Sequence, residues 1–188
     1  MEQKFRDLLE KDETLLWSGR PERFETLDKT NKQSIVIGTV IKLCVIAGIV
    51  ALYIHGALMA AGIKWGIIAV ILAFGAFALV NPFLVARRLR DKTFYGLSER
   101  RILRTGANDE SVPYDRIKSA ALCTDEDGHT TLLCGPRTKN LKPCQWRGEA
   151  DAAFINGPDD PEALRVILYN LPMTKELKAI LTEKIGVQ

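Results

Sequence analysis

Histidine is nearly absent from this chain: His55 and His129 are the two in 188 residues. Equally absent are a phosphate-cradling glycine loop, a His-Glu-x-x-His pair and a Gly-x-Ser-x-Gly elbow. His55 falls on an outer loop and His129 in a hairpin turn, with no carboxylate or cysteine base in evident reach. The expectation is a protein that is not an enzyme and carries no cofactor. Cysteine is scarce as well. Of Cys44, Cys123, Cys134 and Cys144, the last three are separated by ten and nine residues, a spacing that fits no zinc template. No metal site is expected, and these three read as small, reduced residues facing a cytosol. A net charge of +3 gives no reason to invoke nucleic acid. Asp125-Glu126-Asp127-Gly128 lacks the later Glu of a calcium loop, and Asp127-Gly128 is a hairpin signal.

Charge is also missing from the middle of the chain. Trp65–Val85 has no ionisable residue and Ser34–Tyr53 has only Lys42. A helix rises about 1.5 Å per residue, so about 20 residues cross the roughly 30 Å hydrocarbon layer, and both runs reach that length. The 26% charged residues therefore describe two polar ends around an apolar centre. Three regions are predicted: 1–33, a cytosolic N-terminal segment; 34–85, a transmembrane hairpin with spans at 34–53 and 65–85; and 86–188, a cytosolic domain. No apolar h-region precedes Ser34, so the first span is expected to serve as its own insertion signal. Lys29, Lys32, Arg87, Arg88, Arg90 and Lys92 flank the runs on one side and Lys64 alone on the other. That asymmetry puts both termini in the cytoplasm of a multi-pass inner-membrane protein. Small residues, Ala47, Gly48 and Ala51 facing Ala69, Ala73 and Ala76, with Gly62 and Gly66, are expected to bring the helices together. Lys42 lies close enough to the inner side to snorkel, and Asn81-Pro82 should kink or end the second helix.

In the polar ends the period changes. Glu2–Glu10 reads as a short amphipathic helix and Leu15–Gly19 as a strand. Strands follow at Thr93–Leu97, Arg101–Thr105, Ser111–Pro113, Ile117–Thr124 and Thr130–Cys134. Gly135–Asp151 is a long basic loop, Ala152–Ile155 a last strand, Pro161–Asn170 a helix, and Thr174 opens another helix. The class is α+β.

Tyr95, Leu97, Ser98, Arg101, Ile102, Gly106, Val112, Pro113 and Ile117 form a pattern of aromatic, Leu-Ser, Arg-Ile, Gly, Val-Pro and Ile. With Trp17-Ser-Gly-Arg-Pro21 ahead of a membrane hairpin, this resembles the membrane-anchored bacterial PH-like family of the YdbS/YdbT type. The resemblance implies a small PH-like antiparallel β-barrel or sheet capped by a C-terminal helix, for which Pro161–Asn170 is the candidate. The Gly135–Asp151 loop departs from that pattern. The family names a fold better than an activity.

Two basic clusters are candidate contact residues for lipid or partner. Arg87, Arg88, Arg90 and Lys92 form a collar at the membrane, and Arg137, Lys139, Lys142 and Arg147 lie in the long loop. Arg101 reads as a hairpin arginine. The expected function is a membrane-tethered, non-catalytic binding or scaffolding module. Alternatives are lipid-headgroup binding, envelope-stress sensing or, further off, regulation of a transporter with Lys42 in a polar path. Expected partners are the bilayer, anionic headgroups, a membrane protein or a second copy.

Overall fold

The computed structural model describes residues 5–60, 62–106, 109–155 and 163–187. Strand β1 (Leu15–Gly19) precedes helices α1 (Lys29–Ala60) and α2 (Trp65–Lys92). Then come β2 (Phe94–Ser98), β3 (Arg101–Thr105), β4 (Glu110–Pro113), β5 (Ala120–Thr124), β6 (Thr130–Cys134), α3 (Pro143–Asp151), β7 (Val166–Leu168) and α4 (Lys175–Ile185).

The two apolar helices are longer than the predicted spans, 32 and 28 residues, or about 48 and 42 Å. They run on because both ends of the polar flanks are helical too, and α1 now reaches past His55. Neither is a core helix. None of the most apolar window of α1, and 11% of that of α2, is buried. A seam of Ile35, Thr39, Lys42, Ile46, Val50 and Tyr53 on α1 is half-buried at spacings of three and four. The contact is not made by the small residues expected there: Ala47, Gly48, Ala51, Gly62, Gly66, Ala69, Ala73 and Ala76 are all exposed. The close approach is at Gly75, where a Cβ would lie 2.7 Å from Ile46 Cδ1. Pro82 stays inside α2 and deprives the Ala78 carbonyl of its helical donor. Lys42 Nζ donates to that carbonyl at 3.0 Å, so this side chain turns to α2.

The polar regions form two antiparallel sheets, β1-β2-β3-β4 and β5-β6-β7, not a closed barrel. Tyr95, Leu97, Ile102 and Val112 of the first sheet share one apolar cluster with Leu132, Cys134, Val166 and Leu168 of the second, and with Leu177 and Leu181 of α4. Thr174 caps α4 by accepting from Leu177 N at 3.2 Å. The outer face of the first sheet is covered by Phe5, which packs with Phe94 and Leu103. Of the expected Glu2–Glu10 helix, the described residues 5–10 form one turn, Leu8 and Leu9 both donating to the Phe5 carbonyl; residues 1–4 lie outside the described residues.

The predicted Pro161–Asn170 helix is corrected. Its described part supplies β7, paired with β6 through Leu132↔Leu168 and Cys134↔Val166. Residues 161 and 162 fall outside the described residues. Leu164, Val166 and Leu168 face the shared cluster, while Ile167 and Tyr169 face a second one with Ala86 and Leu89 of α2. A strand buried on both faces has apolar residues at helical spacings as well. Ala152–Ile155 contributes only the bridge Ile155↔Arg165. The long loop is corrected too: its second half is α3, with Pro143 in the first turn and Gln145 Oε1 accepting from Lys142 N at 2.9 Å. Trp146 and Ala150 bury one face against Ala86 and Leu89. That face has too few apolar residues for the sequence period to reveal it.

Candidate functional site

The start of α1 is held by residues from three other parts of the chain. Asp28 caps it, its Oδ1 accepting from Asn31 N at 2.9 Å. The second Asp28 oxygen binds Arg147 of α3, and both side chains are 5% exposed. Arg147 also donates to the Thr26 carbonyl at 2.8 Å and the Glu25 carbonyl at 3.2 Å. Its guanidinium lies 4.6 Å from the Phe24 ring centroid and 5.5 Å from that of Tyr169. Burial raises the Tyr169 phenol to about 12, so it stays protonated.

A second cap arrives from the β5–β6 hairpin. Asp125 Oδ1 closes that turn by accepting from Asp127 N at 3.0 Å and His129 N at 2.9 Å. Its other oxygen meets His129 Nδ1 at 3.1 Å, so His129 has a carboxylate partner the sequence did not reveal. Asp127 is thereby aimed at α1, where it accepts from Lys29 N at 3.2 Å, Thr30 N at 2.8 Å and Thr30 Oγ1 at 2.8 Å. The Thr30 N–H, first among these donors, holds its carboxyl below the usual aspartate range.

Beside this junction opens a cleft of about 780 Å³, walled by segment 20–29, the end of α2 and the hairpin turn. Arg20 stacks 4.2 Å over the Phe94 ring. Arg90 Nε lies 3.0 Å from Asp91, and that bond lowers the Asp91 carboxyl. Arg23 and Lys29 are exposed at the cleft, and no salt bridge among the described residues engages either side chain. With Glu25 and Asp91 also on the wall, the cleft offers charges of both signs. Asp28, Asp127 and His129 place one possible ligand atom each within 4.8 Å of one another. Their oxygens are already engaged by helix N–H groups and Arg147, which leaves a cation little to bind.

The structure divides the predicted contact residues. In the collar, Arg87 lies 3.7 Å from Asp91 on the next turn, Arg88 is tied to Asp151 of α3 at 2.7 Å, Arg90 lines the cleft, and Lys92 is exposed. In the second cluster Arg137, Lys139 and Lys142 are exposed, whereas Arg147 is interior and holds α1. Arg101 pairs with Glu10 and Glu13, a structural role. The residues carrying the family resemblance are likewise structural. Tyr95 Oη accepts from Tyr169 N at 3.1 Å between the sheets, and Ser98 Oγ closes the β2–β3 turn by accepting from Arg101 N at 3.0 Å. Of the cleft residues, Arg20 enters the sequence reading only through the Trp17–Pro21 pattern, and Arg23 and Glu25 lie in a polar stretch that carries no motif. No family model, no curated protein and no solved structure matches the chain.

Proposed function

We propose that this chain is a membrane-anchored, non-catalytic binding module of PH-like type. Its helical hairpin crosses the inner membrane with both termini in the cytoplasm, and the two-sheet domain is held at the bilayer surface. The observation that carries this reading is the exposure of Val36, Ile37, Val40, Ile41, Phe74 and Phe77 along two helices long enough to span. In water such a surface would drive aggregation; in lipid it is solvated. Tethering raises a partner's local concentration without a tight site.

The test is membrane fractionation with an alkaline wash, followed by thiol labelling in a cysteine-free background. Lys64→Cys should react with an impermeant maleimide in intact cells, and Glu126→Cys only after lysis. Release by the alkaline wash would overturn the anchor, and reversed labelling would overturn the orientation.

A second reading, headgroup binding, is favoured by the cleft beside the hairpin with its exposed Arg23 and Lys29. It predicts that Arg23→Glu with Lys29→Glu lowers the yield of co-purifying anionic phospholipid, read by mass spectrometry.

A further inference from the structure

Among the described residues, strand β5 stands at the edge of its sheet and pairs with β6 alone. The direction of its free backbone groups follows from the ladder. Gly135 N donates to the Ser119 carbonyl and Asp125 N to the His129 carbonyl, so residues 119, 121, 123 and 125 turn their backbone groups toward β6. The N–H and C=O groups of Ala120, Leu122 and Thr124 therefore point outward, away from the sheet. Natural sheets usually cover, bend or charge such an edge. This one runs in unbroken register over five consecutive pairs, and its residues are half-buried or exposed.

Next to the edge is a small cavity of about 230 Å³ on the sheet face opposite the shared core. Ala121, Cys123, Leu133, Leu141 and Trp146 form its apolar wall. Ser119 also lines it, and its buried hydroxyl has no hydrogen-bond partner among the described residues. Lys139 stands at its rim, and Lys118, Arg137 and Lys142, on the flanking segments, are exposed as well. None of these four cations makes a salt bridge among the described residues.

We propose that β5 receives an extended, acidic peptide segment of a partner protein as an added strand. The segment's main chain pairs with Ala120, Leu122 and Thr124, one apolar side chain enters the cavity, and neighbouring Asp or Glu side chains meet Lys139 and Lys118. Residues two apart on an added strand share a face, so an apolar side chain in the cavity is compatible with an acidic one two positions away against Lys139. A lipid would use the cations and the cavity but has no use for a row of outward N–H and C=O groups, so the edge selects a peptide. This inference rests on the binding-module reading and is independent of whether the hairpin spans.

The experiment is selection of a random twelve-residue phage library on the full-length protein in nanodiscs, against empty nanodiscs. Two variants serve as controls. Ala120→Pro removes an outward N–H and keeps every ladder bond, a change edge strands tolerate. Ala121→Trp fills the cavity from an exposed position. The expected result is enrichment of acidic peptides with an apolar residue, whose affinity falls about tenfold or more in both variants. Lys139→Glu should weaken them further at low salt than at high salt. No enrichment, enrichment of basic peptides, or peptides that bind both variants equally would overturn the proposal. Self-association abolished by Ala120→Pro, without peptide enrichment, would overturn it in favour of a second copy. If the alkaline wash releases the protein, the same selection on the released chain still decides this proposal.

Discussion

Asp127, at the tip of the β5–β6 hairpin, accepts a hydrogen bond from the backbone of Thr30 in the first turn of α1, 97 residues earlier in the chain. A helix begins with four N–H groups that no turn of its own satisfies, and its dipole favours a negative charge there. Asp28 supplies the local cap and Asp127 the distant one, so the sheet domain finishes the apolar helix.

Asp127 therefore links stability to acidity. Its carboxyl titrates below its ordinary value when folded, because Thr30 N–H and Oγ1 bind the charged form. A group depressed in this way contributes above the unfolded aspartate pKa, and that contribution is lost as the pH falls through the folded value. Asp127→Asn should lower the unfolding midpoint at pH 7 and leave it nearly unchanged at the lowest pH where the protein stays folded. Thermal unfolding in detergent at several pH values measures it, and an equal loss at every pH would count against the linkage.

Arg147 and Asp28 form a buried pair in which each also serves other groups. Removing one partner strands the other charge, which costs about 3–5 kcal/mol. Arg147→Met should thus cost several times more than Arg137→Met, although both arginines belong to the same basic stretch. Asp28→Asn added to Arg147→Met should recover part of the loss. Chemical denaturation of the four proteins gives the comparison.

Lys42 and Pro82 make a conditional prediction. The side chain of Lys42 occupies a carbonyl that only a proline leaves free. Lys42→Leu should destabilise the hairpin by about 1 kcal/mol, a usual size for such bonds in membranes. In a Pro82→Ala background the helix supplies its own donor, and the same change should be nearly neutral. A transport role for Lys42 would instead lose activity in both backgrounds.

Much of this architecture could be read in the residues. The two apolar runs gave the long helices, and alternation with turn residues gave β1 to β6. Thr174 marked the start of α4. The segments that failed did so because burial hid their period, each in its own way. Val166-Ile167-Leu168 touches a core on each face, and nothing in its spacing separates it from a helix. Helix α3 hides an arginine among its buried residues, so its face does not look apolar. The cleft and the β5 edge were out of reach for a different reason. Both are assembled from segments that sequence separation keeps apart, and an unpaired edge depends on which strands do not meet.

Helix α2 ends at Lys92 and β2 begins at Phe94, leaving Thr93 as the whole connection. No slack exists there for the domain to swing on. The direction of the long helix is thus handed straight to the first sheet through a single residue, and a tilt of one carries the other with it.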